Sequence, residues 1–282
     1  MLITEKINNR MRQVDSMAGV GIDPVFSKIP EFLRNEVPSR SNQATIELFC
    51  RRVIDATHDF VVDYKINSNF FMDTESRGAL ESTFAYLRDR YPDTVRICDG
   101  KFGDVEHTAG QIADYVFDVL DADAVLLNPY LGYDAIRPFT ERADKAVVLC
   151  VNTSNPSAGD IQDLRTESGI PVWRHVLELA MTKWNLNNNI IPVVSATHID
   201  NLIGLREIIG DVPVVLAGVG AQGGDLPSAL KHVLRSDGYG AMISSSRGII
   251  YPDSGDDYWQ SVGDKAMLLR DTIRQSTRQT HD

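Results

Sequence analysis

A chain of 282 residues with 43% hydrophobic and 24% charged residues has the make-up of a folded protein with a large core, which excludes a disordered polypeptide. Its 28 Lys+Arg against 39 Asp+Glu leave a formal charge of −11, and without any basic run this excludes a surface built to track nucleic acid. An anionic small ligand stays open, because a pocket's field is set by its own few residues.

Residues 1–10 lack the continuous apolar stretch of a signal peptide, and nowhere do 18 apolar residues run together, so a cytoplasmic protein without a membrane segment is expected. Short runs rich in Val and Ile then recur at 18–22, 60–66, 95–98, 122–127, 146–151, 190–194, 212–217 and 241–243. Between them, helical periodicity predicts helices over 76–90, 104–120, 172–184 and 201–209, with a further long helix starting at 39–41. A last helix is predicted over 258–274, followed by a polar, frayed tail at 275–282. Eight strands alternating with helices, none close enough to its neighbour for a hairpin, predict parallel pairing through crossovers. The simplest closed solution is a (β/α)8 TIM barrel forming a single domain over residues 1–282. A doubly wound open sheet is the alternative, lowered by the absence of a G-x-G-x-x-G turn after the first strand. Cys50, Cys98 and Cys150 are odd in number and lack metal-ligand spacing, so buried thiols in a reducing compartment are expected.

A barrel of this kind carries its site at the carboxyl ends of its strands. Those ends hold Asp23, Lys65, Asp99 with Lys101, the segment 152–156, the glycines of 218–224, and Ser244 to Gly248. The run Asp99-Gly100-Lys101-Phe102-Gly103-Asp104 is the most informative. Strand alternation would point Asp99 and Lys101 to one side, and Gly100 and Phe102 to the other. Neighbouring carboxylates favour a charged Lys101 that can donate a proton. Taken alone, such a motif is also what a surface ion pair looks like. Repeated at several strand ends, buried charges are costly unless they satisfy one another or a ligand, and Asp23, Lys65, Asp99, Lys101 and Asp104 form an array that does so. Gly218, Gly220, Gly223 and Gly224 let backbone amides approach an anion ahead of a helix starting near Asp225, with Gln222 and Arg247 as donors, which suits phosphate. His58 and His175 read as surface histidines, and His107 and His198 lack partners at metal-ligand spacing. Ser154 has no general base beside it, which suits recognition rather than nucleophilic attack.

Together these residues resemble the orotidine 5'-phosphate decarboxylase family. The resemblance rests on Asp99-x-Lys101-x-x-Asp104 followed by Thr108, Asp23 in Gly21-Ile22-Asp23-Pro24, Lys65 in Tyr64-Lys65-Ile66, the 218–224 loop, and Ser246-Arg247-Gly248. Asn128 to Gly132 and Thr153 to Pro156 look like the longer-chain subgroup, and the matches run in order from 21 to 248. The resemblance implies decarboxylation of orotidine 5'-monophosphate to UMP in pyrimidine biosynthesis, without metal or organic cofactor. It implies a charged tetrad of Lys65, Asp99, Lys101 and Asp104, with Asp104 and Thr108 reaching the neighbouring subunit's site in a homodimer. It further implies ribose contacts from Asp23 and Lys65, a pyrimidine contact from Ser154, and phosphate contacts from Gln222 and Arg247. Phe102 and Glu106-His107 depart from the subgroup's pattern. A related barrel decarboxylase or Schiff-base aldolase acting on a sugar phosphate, and a non-catalytic nucleotide-binding barrel, are the competing readings.

Overall fold

Eight strands alternate with helices in the computed structural model, which describes residues 2–39, 41–73, 76–219, 223–252 and 257–279. The strands are β1 (Ala18–Ile22), β2 (Asp63–Asn67), β3 (Val95–Phe102), β4 (Ala124–Leu127), β5 (Ala146–Cys150), β6 (Ile190–Ser195), β7 (Val214–Ala217) and β8 (Ala241–Ser245). All pairs are parallel and the sheet closes in chain order, β8 returning to β1, so the predicted (β/α)8 barrel is the fold observed. Helices cover the outer face and side chains fill the inner one, so β5 reads as an unbroken apolar run with every residue buried.

Register fixes which residues share a level inside the barrel. Gly19 on β1 pairs with Asp63 on β2, which pairs with Val95 on β3; two residues higher, Gly21, Lys65 and Ile97 are matched in the same way. The outward-facing Tyr64 between them is fully buried against the helix Asn42–Thr57, its hydroxyl 2.7 Å from Thr57 Oγ1 and donating to the Ile54 carbonyl at 2.9 Å. This helix is capped by Ser41, whose side chain accepts from the Ala44 amide, and it buries Phe49, Val53 and Ile54. Each such apolar side chain contributes about 1.5–3 kcal/mol on burial.

Several helices depart from the predicted spans. The stretch predicted over 104–120 starts at Glu106, is α-helical to Asp114 and widens to a π-turn over Tyr115–Val119, and 172–184 changes in the same way after Leu179. Residues 201–209 split at Gly204, which takes a left-handed φ of 71° between a 3-10 turn (Ile199–Leu202) and the short helix Leu205–Ile209. The tail expected to fray from 275 remains helical to Gln279, because Ile273 and Ser276 still pack inward; residues 280–282 lie outside the described ones. A helix not anticipated, Ile3–Val14, lies across the amino ends of the strands. Its Ile3, Ile7 and Met11 recur every four residues and are buried, Lys6 reaches Asp123 at 2.8 Å, and Arg10 donates to the Val61 carbonyl. The three cysteines are free and buried, and burial pushes the thiols of Cys50 and Cys98 up to about 12 and that of Cys150 to about 11. No described helix is long and apolar enough to cross a membrane.

Candidate active site

At the carboxyl end of β3, Asp99 is buried between two ammonium groups. Its Oδ2 accepts from Lys65 Nζ at 2.7 Å and its Oδ1 from Lys101 Nζ at 2.8 Å. Burial alone would raise its pKa, but Lys65 and Lys101 hold it below the usual carboxylate range. Lys65 is under the opposite pressure. Desolvation pulls its ammonium down, and the charges of Asp99, Asp23 and Asp63 together more than reverse that, so it stays protonated. Lys101 differs in being half exposed at its end of the chain of charges.

Simple alternation does not bring Lys101 to Asp99. Asp99 pairs with Leu126 but Phe102 pairs with the next residue, Leu127, so Gly100 and Lys101 form a bulge. Lys101 sits at φ 47°, a left-handed conformation that costs a non-glycine residue about 1–3 kcal/mol and persists only where the surroundings enforce it. Inside the bulge the Phe102 ring lies against Gly100 so closely that a Cβ there has no room. Phe102 is thus a wall residue, in a groove with Phe71, Leu80 and Ile112. The other departure, Glu106, pairs with Arg137.

The remaining predicted residues fall around this centre at different distances from it. Asp23, after β1, is half-buried; its Oδ2 accepts from Ser246 Oγ at 2.6 Å, while its Oδ1 has no partner among the described residues. Asp104 is exposed and accepts from the Val105 amide at 2.7 Å, so this chain does not fold it onto Lys101, and Thr108 follows on the helix starting at Glu106. A cleft of about 670 Å³ opens beside Lys101, lined by Asn128, Cys150, Thr153, Asn155 and Trp173, and the half-buried Ser154 belongs to the same β5 loop. After β7, Gly218 and Gly223 take positive φ of 83° and 75°, and Val219 bridges to Gly224. The helix Leu226–Val233 starts as predicted, with Asp225 accepting from the Ser228 amide. Arg247 is exposed at the start of the turn Arg247–Ile250 after β8. Gly220 and Gln222 lie outside the described residues. His58 stacks on Tyr91, and no group of three metal-binding side chains occurs among the described residues.

Three polar residues at the centre have no role assigned from the sequence. Ser246 orients Asp23, Asn152 is buried with its Oδ1 unpartnered among the described residues, and Asp63 is completely buried one level below Lys65. For Asp63 a signal was present: an acidic residue two positions before Lys65 in an apolar strand must share its inward face.

Two ammoniums on one buried carboxylate, next to an open cleft, can stabilise a developing negative charge and deliver a proton to it. Comparison with known proteins agrees. The model of the Orotidine 5'-phosphate decarboxylase / HUMPS family matches residues 42–254. Orotidine 5'-phosphate decarboxylase from Cellvibrio japonicus is 38% identical over 273 residues, covering 97% of this chain and 98% of that protein. The enzyme of the same name from Halorubrum lacusprofundi is 38% identical over 288 residues, covering 98% and 99%. Among solved structures, Leishmania donovani OMP decarboxylase superposes with a TM-score of 0.81 at 28% identity, covering 99% of both chains. Barrel, charged rim and near full-length likeness thus agree, and the chain belongs to the orotidine 5'-phosphate decarboxylase / HUMPS family.

Proposed function

We propose that this protein converts orotidine 5'-monophosphate to UMP, with Lys101 as the proton donor. Loss of CO2 leaves an electron pair on C6 of the pyrimidine that no adjacent carbonyl delocalises well. The Lys101 ammonium stabilises that charge, transfers its proton to C6, and as a half-exposed amine regains a proton from solvent. Asp99 orients Lys101 and faces the departing carboxylate. Asp23 and Lys65 take the ribose hydroxyls, Ser154 the pyrimidine edge, and Gln222 and Arg247 the phosphate. Remote phosphate contacts then contribute binding energy to the chemical step.

The observation that carries the reading is the single buried carboxylate of Asp99 shared by Lys65 and Lys101 at 2.7 and 2.8 Å. It also weighs against an aldolase, since a Schiff base needs a neutral amine and Lys65 is held as an ammonium by three carboxylates. The reading includes a homodimer in which Asp104 and Thr108 complete the partner's site; the outward position of Asp104 supports this. It includes a cytoplasmic setting, which the three unpaired, buried thiols suit.

The test is the fall in absorbance of orotidine 5'-monophosphate with purified protein and no added metal. The parent is expected to consume substrate, and Lys101→Ala to abolish product formation while UMP binding stays measurable. UMP affinity without substrate loss in the parent would make the protein a binding barrel, and near-normal turnover in Lys101→Ala would remove the proposed acid.

A further inference from the structure

One level below the charged rim, the barrel interior holds a carboxylate with little to satisfy it. Asp63 is fully buried; its Oδ2 accepts from Ser244 Oγ at 3.3 Å and its Oδ1 has no partner among the described residues. The space it occupies exists because β1 carries Gly19 at the paired position: a Cβ there would lie 2.7 Å from both Asp63 Oδ2 and Ser244 Oγ, and closer still to Oδ1. Groups around it are few. β1 presents Gly19, β3 presents Val95, β8 presents the Ser244 hydroxyl, and β2 itself presents Lys65. Lys65 is the charge that acts on Asp63, and through Lys65 the carboxylates of Asp99 and Asp23 join the same group.

We infer that Asp63 is a positioning residue for decarboxylation: its carboxylate, beneath Lys65, anchors that ammonium at the barrel centre against Asp99, and the site reaches full rate only while Asp63 is ionised. Residues two apart on a strand are displaced by about 6.6 Å along it, so Asp63 and Asp99 hold Lys65 from two levels. Losing the lower charge leaves Asp99 and Asp23 alone to offset the burial of Lys65. Asp99, the same carboxylate that orients Lys101, then has a less firmly placed partner. Desolvation pushes Asp63 up to about 6 against the opposing pull of Lys65, so its charge changes within the range where turnover is measured.

This inference rests on the proposed decarboxylation, and its test separates the two. Turnover of orotidine 5'-monophosphate is followed from pH 5 to 8.5 for the parent and for Asp63→Asn, which keeps the shape and cannot ionise. A phosphomonoester also titrates near pH 6, so the quantity read is the parent-to-variant ratio of kcat/KM with the same substrate at each pH. The ratio is expected near one at pH 5, where Asp63 is neutral in the parent, and about five- to tenfold above pH 7. A ratio that is constant with pH, whatever its size, or one that falls as pH rises, overturns the inference. A second measurement does not depend on activity. The carboxyl carbon resonance of Asp63 is titrated in the parent and in Lys65→Met; the midpoint is expected to move to higher pH in the variant, and an unmoved midpoint would deny the coupling. If the parent turns over no substrate the proposed function fails, while this second titration still decides whether Asp63 and Lys65 act on each other.

Discussion

The two ends of the barrel use the same residue types to opposite ends. At the amino end, Asp123 accepts from Lys6 Nζ at 2.8 Å, from Arg96 Nη2 at 3.1 Å and from the Arg96 amide at 2.9 Å, while Lys145 reaches Asp121 at 3.2 Å. The helix Ile3–Val14 contributes Lys6 to this cluster, and apart from Arg96 Nε its buried side-chain polar atoms are satisfied among the described residues. At the carboxyl end, Asp99 is saturated, but Asp23 Oδ1 and Asn152 Oδ1 are buried without partners among the described residues and Lys101 is half exposed. Charges that close on one another stabilise a fold. Polar groups left unsatisfied near a cleft hold a place for a ligand, at a cost in stability.

The strongest way to break that contrast is at the amino end. Asp123→Ala leaves Lys6 buried without its acceptor and the Arg96 guanidinium with only the longer contact to Asp121 at 3.4 Å, and removing one partner of a buried ion pair costs about 3–5 kcal/mol. Urea unfolding is expected to show that loss, while calorimetric titration with UMP below the unfolding midpoint gives the parent's affinity. A loss of binding in the folded protein would mean that the two ends are coupled and the contrast is false.

Asp63 sharpens the contrast, because it belongs to the level where the two regimes meet. Its carboxyl is raised from an ordinary 3.8 to about 6, mainly by desolvation. Below about pH 4 it is protonated in folded and unfolded chains alike and costs nothing. Between about pH 4 and 6 the unfolded chain binds fewer protons than the folded one, so stability falls as pH rises, and above pH 6 the full cost of about 3 kcal/mol is present. Asp63→Asn should therefore gain stability on the parent by about 3 kcal/mol between pH 4 and 7.5, read from urea midpoints at the two pH values. The variant would gain stability under the conditions in which it is expected to lose turnover, and a gap that does not change with pH would contradict it.

How far these features could be read without coordinates follows from the kind of signal each leaves. The barrel was legible because doubly buried parallel strands are continuous Val- and Ile-rich runs; 146–151 and 190–194 needed little further context. Asp23, Lys65, Asp99 and Lys101 were legible because charge at the end of an apolar strand is expensive without a purpose. The bulge was not, since alternation assumes a ladder without slips; Gly100 inside the strand is the one mark of the register shift after Asp99, and a glycine alone does not say which way the next side chain turns. The helix Ile3–Val14 leaves a weaker signal, because Asn8, Asn9, Arg10 and Arg12 dilute the four-residue spacing of Ile3, Ile7 and Met11. Gly19 was unreadable, because a glycine in a strand declares neither which carboxylate lies across from it nor that any does.

The smallest expected effect falls on the hydrogen bond between Ser246 and Asp23. Ser246 Cβ would lie 2.7 Å from a Cβ built on Gly21, so this loop sits close to β1 and an alanine keeps the packing while removing only the hydroxyl. That hydroxyl donates to Asp23 Oδ2 at 2.6 Å and fixes the orientation in which Oδ1 has no partner among the described residues. A hydrogen bond to a charged acceptor contributes about 1.5–3 kcal/mol when fully buried and less when, as here, the carboxylate is partly accessible and water replaces the donor. For Ser246→Ala we therefore expect urea stability within about 1 kcal/mol of the parent, and UMP affinity lowered about five- to tenfold because Asp23 no longer presents a fixed oxygen. Calorimetric titration and urea unfolding on the same preparation read both. If stability falls by more than about 2 kcal/mol with affinity unchanged, the Asp23–Ser246 pair is closed on itself like Asp123 with Lys6 and Arg96, and the carboxyl end loses its claim to a different design.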